Sequence, residues 1–271
     1  MARDVVRGTR AVHRVRVRDA TEQGSDLVAH EEPLEIRVGG VPLAVLLRTP
    51  GHDADLAAGY VLTEGVVADA ADIDDVVPCA TAPAEAAGNI VDVLLRPGAA
   101  PDLRRFQRPR HANSACGTCG AASLDNLLAE APPLVDGRCI PGAVVRGLPD
   151  ALRQRQPGFA ATGGLHAAAA LDDAGALQDV REDVGRHNAV DKTLGAWAVR
   201  GRGRAALGVV VSSRAGFEIV QKAHVLRVPV VVSVGAPTSL AVELALRAGL
   251  TLVAFAGAAG FNIYAHGHRI G

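Results

Sequence analysis

Two cysteines separated by two residues, Cys116 and Cys119, have the side chains best suited to covalent chemistry in this sequence. Their neighbours are serine, alanine, glycine and threonine, so both sulfurs are expected to be accessible on a loop. A helix is predicted to begin just after Cys119, and its N-terminal dipole would favour the nucleophilic thiolate form. The spacing is compatible with a reactive thiol pair, a disulfide-exchange motif or half of a metal site.

The metal and disulfide-exchange interpretations lack supporting residues. A closed zinc site needs four ligands, and the other two cysteines, Cys79 and Cys139, are isolated in the sequence. A thioredoxin-like motif would follow a strand and a tryptophan, which are absent here. Positive charge precedes the cysteines and is compatible with a stabilised thiolate, with contacts to phosphates or an acidic partner, or with a solvated basic loop. The basic residues are Arg104, Arg105, Arg108, Arg110 and His111.

The densest polar cluster occupies residues 181–192. Asp183 or Gly185 is placed at the start of a predicted helix, where free backbone N–H groups bind anions. A generic helix cap needs only one such residue, so the cluster favours a binding site over a capping box with surface charges. The candidate ligand-binding residues are Asp183, Arg186, His187, Asn188 and Lys192.

Polar or glycine-rich segments also follow the next three predicted strands. Ser213 and Arg214 follow the first strand, and residues 233–238 follow the second. In open parallel sheets, ligands bind at the carboxyl ends of the strands, so a shared pocket is predicted there. The third segment permits close approach of a flat or phosphorylated ligand, or forms only a tight turn. It consists of Phe255, Ala256, Gly257, Ala258, Ala259 and Gly260.

Hydrophobic periodicity predicts an α/β fold with a β-rich N-terminal part. A strand pair turning at Gly39 and Gly40 precedes a helix capped by Asp53. The second half alternates strands and helices, which predicts a mixed sheet covered by helices, with an edge strand over residues 261–266. A helix after residue 141 is expected to be interrupted at Pro149. The division predicted is 1–110 and 111–271, with a single compact unit as the alternative.

The bulk composition excludes several classes of protein. With 49% hydrophobic and 21% charged residues the chain can form a packed core, and its net charge of −1 does not suggest nucleic-acid binding. No apolar run is long enough to span a bilayer, so a cytoplasmic protein is expected. His166 is interpreted as a core histidine. Ala168 stands where a zinc deaminase would need glutamate, so that chemistry is not expected.

Taken in order, six motifs resemble the formate dehydrogenase accessory sulfurtransferase family, FdhD. The resemblance implies a fold related to cytidine deaminases and a homodimer. It also implies that Cys116 carries a persulfide received from a cysteine desulfurase, with Cys119 as its partner. The motifs lie at residues 48–67, 114–120, 162–169, 181–192, 212–223 and 260–270.

The resemblance further implies that the sulfur acceptor is the molybdenum of bis-molybdopterin guanine dinucleotide, before that cofactor enters formate dehydrogenase. A guanine nucleotide such as GDP is expected to mimic it. The family's cofactor segment corresponds to Phe255 through Gly260, which is more apolar here than is usual in the family. No metal site is implied. Two alternatives stay open, namely a chaperone that binds the cofactor without sulfur chemistry and a zinc-binding structural protein.

Overall fold

A computed structural model of the chain describes residues 6–17, 21–99, 101, 103, 132–201 and 205–271. The N-terminal part is rich in strands, as the alternating sequence pattern predicts. A two-stranded hairpin, β1 and β2, precedes a four-stranded sheet and one helix. The elements are β1 (Thr9–Val17), β2 (Thr21–Ala29), β3 (Glu32–Val38), β4 (Val41–Arg48), α1 (Asp53–Thr63), β5 (Ile73–Pro78) and β6 (Ile90–Leu95).

The four-stranded sheet has the order β4-β3-β6-β5 and packs one face against α1. Gly39 and Gly40 form the β3–β4 turn with φ of 56° and 81°, a conformation that glycine adopts without a Cβ penalty. This hairpin confirms the sequence prediction. The predicted cap of α1 is wrong by one residue, because Asp53 is already helical and His52 occupies the cap position.

The C-terminal part forms a six-stranded sheet with the order β12-β11-β10-β9-β7-β8. Strands β9, β10 and β11 are parallel, and the remaining pairs are antiparallel. The mixed α/β fold is therefore as predicted. The elements are α2 (Gly142–Arg153), α3 (Pro157–Thr162), β7 (His166–Leu171), β8 (Leu177–Asp183), α4 (Arg186–Val199), β9 (Gly208–Val211), α5 (Phe217–Val225), β10 (Val230–Ser233), α6 (Ser239–Ala248), β11 (Thr251–Gly257) and β12 (Gly260–Ala265).

Helices cover both faces of this sheet. Alternate residues of β7 show the arrangement, since Ala168 and Ala170 face the core shared with α4, α5 and α6. Ala167 and Ala169 face the core shared with α2. A strand buried on both faces reads as a continuous apolar run, which explains the alanine-rich sequence of β7. None of the helices described in the structure is long and apolar enough to cross a membrane.

Helix α2 continues through Pro149, which corrects the predicted interruption. Proline inside a helix removes one backbone hydrogen bond and costs about 3 kcal/mol. Val145, Leu148 and Leu152 lie on one face of α2 and are almost fully buried. Burial of this stripe against the sheet offsets the cost, which the local sequence pattern does not reveal.

The two sheets are joined by helices α1 and α4, which touch through their backbones. A Cβ atom on Gly195 would lie 2.1 Å from the carbonyl oxygen of Asp55, and one on Gly59 would lie 1.9 Å from that of Asp191. Only glycine fits at both positions. The close approach fixes α4 against the N-terminal sheet, while the predicted division at residue 110 stays a prediction.

Candidate functional site

The carboxyl ends of β9, β10 and β11 meet along one edge of the six-stranded sheet. Backbone hydrogen bonds join the segments that follow them, from Gly235 N to Ser213 O (3.1 Å) and from Phe255 N to Gly235 O (3.2 Å). The antiparallel strand β7 begins at the same edge, where His166 pairs in register with Asp183. The structure therefore brings together the strand-end segments that the sequence singled out.

Two arginines give this edge its positive charge. Arg186 is the first residue of α4 and is partly buried, and Arg214 is exposed just before α5. Burial is the main cause that lowers the pKa of Arg186, and the charge of Arg214 lowers it further. The buried Nε atom of Arg186 has no hydrogen-bond partner in the structure. An anion placed here would satisfy that donor and relieve the repulsion between the two guanidinium groups.

A histidine–carboxylate contact lies beside the arginines. Nε2 of His187 is 2.5 Å from Oε2 of Glu218, close enough for an ion pair, although its direction does not suit a well-formed hydrogen bond. This contact is the main cause that lowers the pKa of Glu218, and the positive charge of Arg186 also contributes. The contact ties the N-terminal turn of α4 to that of α5 at the centre of the edge.

Asp183, Asn188 and Lys192 have their polar atoms occupied by protein groups. Lys192 Nζ lies 2.7 Å from Asp183 Oδ2 and donates to the carbonyl oxygen of Thr49 at 2.7 Å. Asp183 also accepts from Thr49 N and from Asn188 Nδ2, which in addition donates to the carbonyl oxygen of Leu47. That these three residues hold a ligand stays a prediction. In the structure they connect α4 to the end of β4.

The other predicted site residues differ in burial: the side chain of Ser213 is buried in the protein, whereas that of Phe255 is exposed to solvent. Ser213 is 6% exposed, and its hydroxyl donates to the carbonyl oxygen of Arg214. Phe255 is 50% exposed with a φ of 53°, a left-handed conformation that is strained for an aromatic residue. The segment from Phe255 to Gly260 contains the end of β11, a tight turn at Ala258 and Ala259, and the first residue of β12. Its contact with a ligand stays a prediction.

Comparison with known proteins identifies the family of this chain. The family model described as the FdhD/NarQ family matches residues 29–271. The chain belongs to the FdhD/NarQ family. A protein of Anaeromyxobacter dehalogenans named sulfur carrier protein FdhD is 47% identical over 256 residues, which cover 91% of this chain and 89% of that protein. A Streptomyces avermitilis protein of the same name is 46% identical and covers 94% and 93%, respectively.

A solved structure shows the same fold at lower sequence identity. The crystal structure of a putative formate dehydrogenase accessory protein from Desulfotalea psychrophila superposes with a TM-score of 0.77. The match covers 97% of this chain and 99% of that chain, at 23% identity. The mixed α/β architecture described above is therefore found in an experimental structure.

In this FdhD/NarQ family member, Cys116 and Cys119 lie outside the described residues, as does the basic run before them. Cys79 and Cys139 are described and are free thiols. Hydrogen bonds from Thr81 are the main causes that lower the pKa of Cys79. Among the described residues, no group of three or more histidine, cysteine or carboxylate side chains is arranged to hold a metal ion.

Sequence reasoning missed two residues of this edge in the FdhD/NarQ chain, His166 and Gln156. His166 is half-buried and lines a cleft of about 490 Å³ together with Gln156. Burial is the main cause that lowers the pKa of His166, followed by the charges of Arg186 and His187. The position of His166 at the start of a strand antiparallel to β9 is the signal that would have placed it at the edge.

We expect His166 to make the folded chain less stable in mild acid. Because the pKa of His166 is lowered on folding, the unfolded chain binds more protons below about pH 6.5, and stability is lost as the pH falls. Replacing His166 with asparagine should reduce the loss of stability between about pH 7 and about pH 5, measured by urea unfolding. His268→Asn, at an exposed position, is the control and should leave that loss unchanged.

Proposed function

We propose that this chain is a sulfurtransferase in which Cys116 carries a persulfide. The Cys116 thiolate attacks the persulfide of a cysteine desulfurase, the new sulfur–sulfur bond forms on Cys116, and the desulfurase cysteine leaves as a thiolate. The Cys119 thiolate then attacks the inner sulfur of this persulfide, which forms a Cys116–Cys119 disulfide and releases the outer sulfur as hydrosulfide. The hydrosulfide replaces an oxygen ligand of the molybdenum of bis-molybdopterin guanine dinucleotide, that oxygen leaves as water, and the cofactor subsequently enters formate dehydrogenase. Cys119 assists the reception or relay of sulfur. The observation that carries the proposal is membership of the FdhD/NarQ family over residues 29–271.

The sheet edge supports binding of the cofactor as a substrate. Each half of this cofactor contains a pyrophosphate, and Arg186 and Arg214 provide two cationic side chains at one place. The exposed Phe255 lies on the same sheet edge, where its N–H donates to Gly235 O, and offers a flat apolar surface. Anion binding at such an edge is common in α/β folds because the N-terminal ends of helices point toward it. The proposed partners are the desulfurase, formate dehydrogenase and a second copy of the chain, all in the cytoplasm.

The proposal is tested by reconstitution from purified components. Cysteine desulfurase, cysteine labelled with radioactive sulfur, this chain and bis-molybdopterin guanine dinucleotide are combined, and the label on the cofactor is measured. We expect labelled cofactor and recovery of formate dehydrogenase activity only when the chain is present. Label that reaches the cofactor equally well without the chain would contradict the proposal.

A cofactor chaperone without sulfur chemistry is the second candidate. The observation that favours it is the positive edge, which can bind the cofactor without any thiol. A chaperone would still deliver active cofactor after Cys116→Ser, whereas a persulfide carrier would not. The structural zinc alternative predicts stoichiometric zinc in the purified chain that is lost when either Cys116 or Cys119 is replaced.

A further inference from the structure

We propose that the cleft next to the positive edge is a base-binding subsite in which Gln156 and Arg153 recognise the purine of a bound nucleotide. This inference rests on the proposed function, because the substrate proposed there ends in two guanine nucleotides. Neither residue was a candidate from the sequence. The cleft lies between α2, α3 and the start of β7, and its polar and aromatic wall consists of Asp150, Arg153, Gln156, Phe159, His166 and Ser212.

The size and lining of the cleft suit a small planar ligand. Its volume of about 490 Å³ lies within the range of small-molecule sites in proteins. Leu152 and Leu165 line it and are 1% and 3% exposed, which makes part of the wall apolar and rigid. An aromatic base buries apolar faces while presenting polar ring edges. A cleft with an apolar wall and a few polar groups matches that distribution.

Arg153 provides a flat cationic surface at the mouth of the cleft. Its guanidinium carbon lies 3.8 Å from the centroid of the Phe159 ring, so the two planar groups support one another. Arg153 is an exposed residue, which leaves the guanidinium able to meet a ligand. Guanidinium planes stack on aromatic rings, including nucleobases. A base entering the cleft would therefore extend an existing stack.

Gln156 carries the strongest sign of a missing ligand. The residue is only 3% exposed, and its side-chain nitrogen Nε2 has no hydrogen-bond partner in the structure. Buried side-chain amides in folded proteins are almost always hydrogen-bonded, so an unpaired donor requires an explanation. Because the side chain lines the cleft, an acceptor atom on a ligand bound there is the partner that this donor lacks.

The cleft continues into the positive edge through His166. His166 lines the cleft, and it is close enough to Arg186 for that charge to lower its pKa. Ser212 also lines the cleft and accepts a hydrogen bond from Ala167 N at 2.9 Å, which leaves its hydroxyl proton for a ligand. A base in the cleft thus places its phosphates toward Arg186 and Arg214. This continuity favours a nucleotide over an apolar peptide side chain.

The unpaired donor of Gln156 also predicts which purine is preferred. Guanine and hypoxanthine present a carbonyl oxygen at C6, which accepts a hydrogen bond, whereas adenine presents an amino group. We expect GDP and inosine diphosphate to bind alike and ADP to bind about tenfold more weakly. Gln156→Leu should weaken GDP binding by about tenfold or more and remove this preference.

The test measures binding of GDP, ADP and inorganic pyrophosphate to the full chain by titration calorimetry. Gln156→Leu and Arg153→Met are expected to weaken GDP binding and to leave pyrophosphate binding unchanged. The matched control is Gln154→Leu, because Gln154 lies on the same segment and is exposed. Arg153→Met replaces an exposed side chain and keeps its apolar stem, so it tests the cleft even if Gln156→Leu does not fold.

Two results would overturn the inference. One is unchanged GDP affinity in both cleft variants, combined with a loss in Arg214→Ser, which would place the whole nucleotide outside the cleft. The other is a wild-type chain that transfers sulfur but binds GDP no better than pyrophosphate, in which case the proposed function stands and the base subsite does not. A chain that binds GDP as expected but transfers no sulfur would reject the proposed function alone.

Discussion

Replacing Cys116 with alanine is expected to abolish sulfur loading of the chain. After incubation with a cysteine desulfurase and cysteine, the intact mass of the wild-type chain should rise by one sulfur atom and return to its original value with reductant. The alanine variant should show no gain, because no thiolate is left at the position that accepts the persulfide. Intact-protein mass spectrometry distinguishes the two outcomes directly.

The other cysteines of the chain provide the controls for this prediction. Cys79 is the stronger competitor, because hydrogen bonds from Thr81 lower its pKa and the Arg37 guanidinium lies 3.7 Å from its sulfur. Cys139 is exposed. Cys79→Ala and Cys139→Ala should both load normally. A sulfur gain that persists in Cys116→Ala and disappears in Cys79→Ala would move the persulfide to the end of β5 and refute the assignment from the family motif.

The sequence predicted the elements of this fold well where local patterns decide them. The turn at Gly39 and Gly40 and the parallel strands β9 to β11 follow from periodicity and turn residues. Convergence of the strand-end segments also followed, because parallel strands share one carboxyl edge. These features depend on neighbours in sequence or on the general geometry of a sheet.

The sequence failed where partners are distant. The sequence places Lys192 in a predicted ligand-binding cluster, but its acceptor in the structure, the carbonyl oxygen of Thr49, is 143 positions earlier. The local sequence predicts that Pro149 interrupts a helix. Helix α2 continues because of its packing against the sheet, which the local sequence does not show. No local sequence pattern predicts that Gln156 is buried, because its burial depends on the sheet and helices around it. Burial of polar groups in this chain is therefore a property of the assembled fold.

Replacing Lys192 with methionine should destabilise the fold strongly. Lys192 and Asp183 are 1% and 0% exposed, and the methionine variant leaves the Asp183 carboxylate buried without its cationic partner. Breaking one side of a buried ion pair costs about 3–5 kcal/mol. The free energy of unfolding, measured with urea, should fall by about that amount. Arg14→Met, which breaks the partly exposed ion pair with Asp26, should cost less than about 1 kcal/mol.

The same variant separates a structural lysine from a ligand-binding one. If Lys192 acts only inside the fold, Lys192→Met that remains folded at low temperature binds pyrophosphate as the wild type does. The double variant that adds Asp183→Asn should regain part of the lost stability, because the uncompensated charge is removed and the amide oxygen can still accept from Asn188 Nδ2. The recovery is only partial because the amide nitrogen replaces the oxygen that accepts from Thr49 N. A variant that keeps wild-type stability and loses pyrophosphate binding would instead restore Lys192 as a phosphate ligand and would require the buried pair to open on binding.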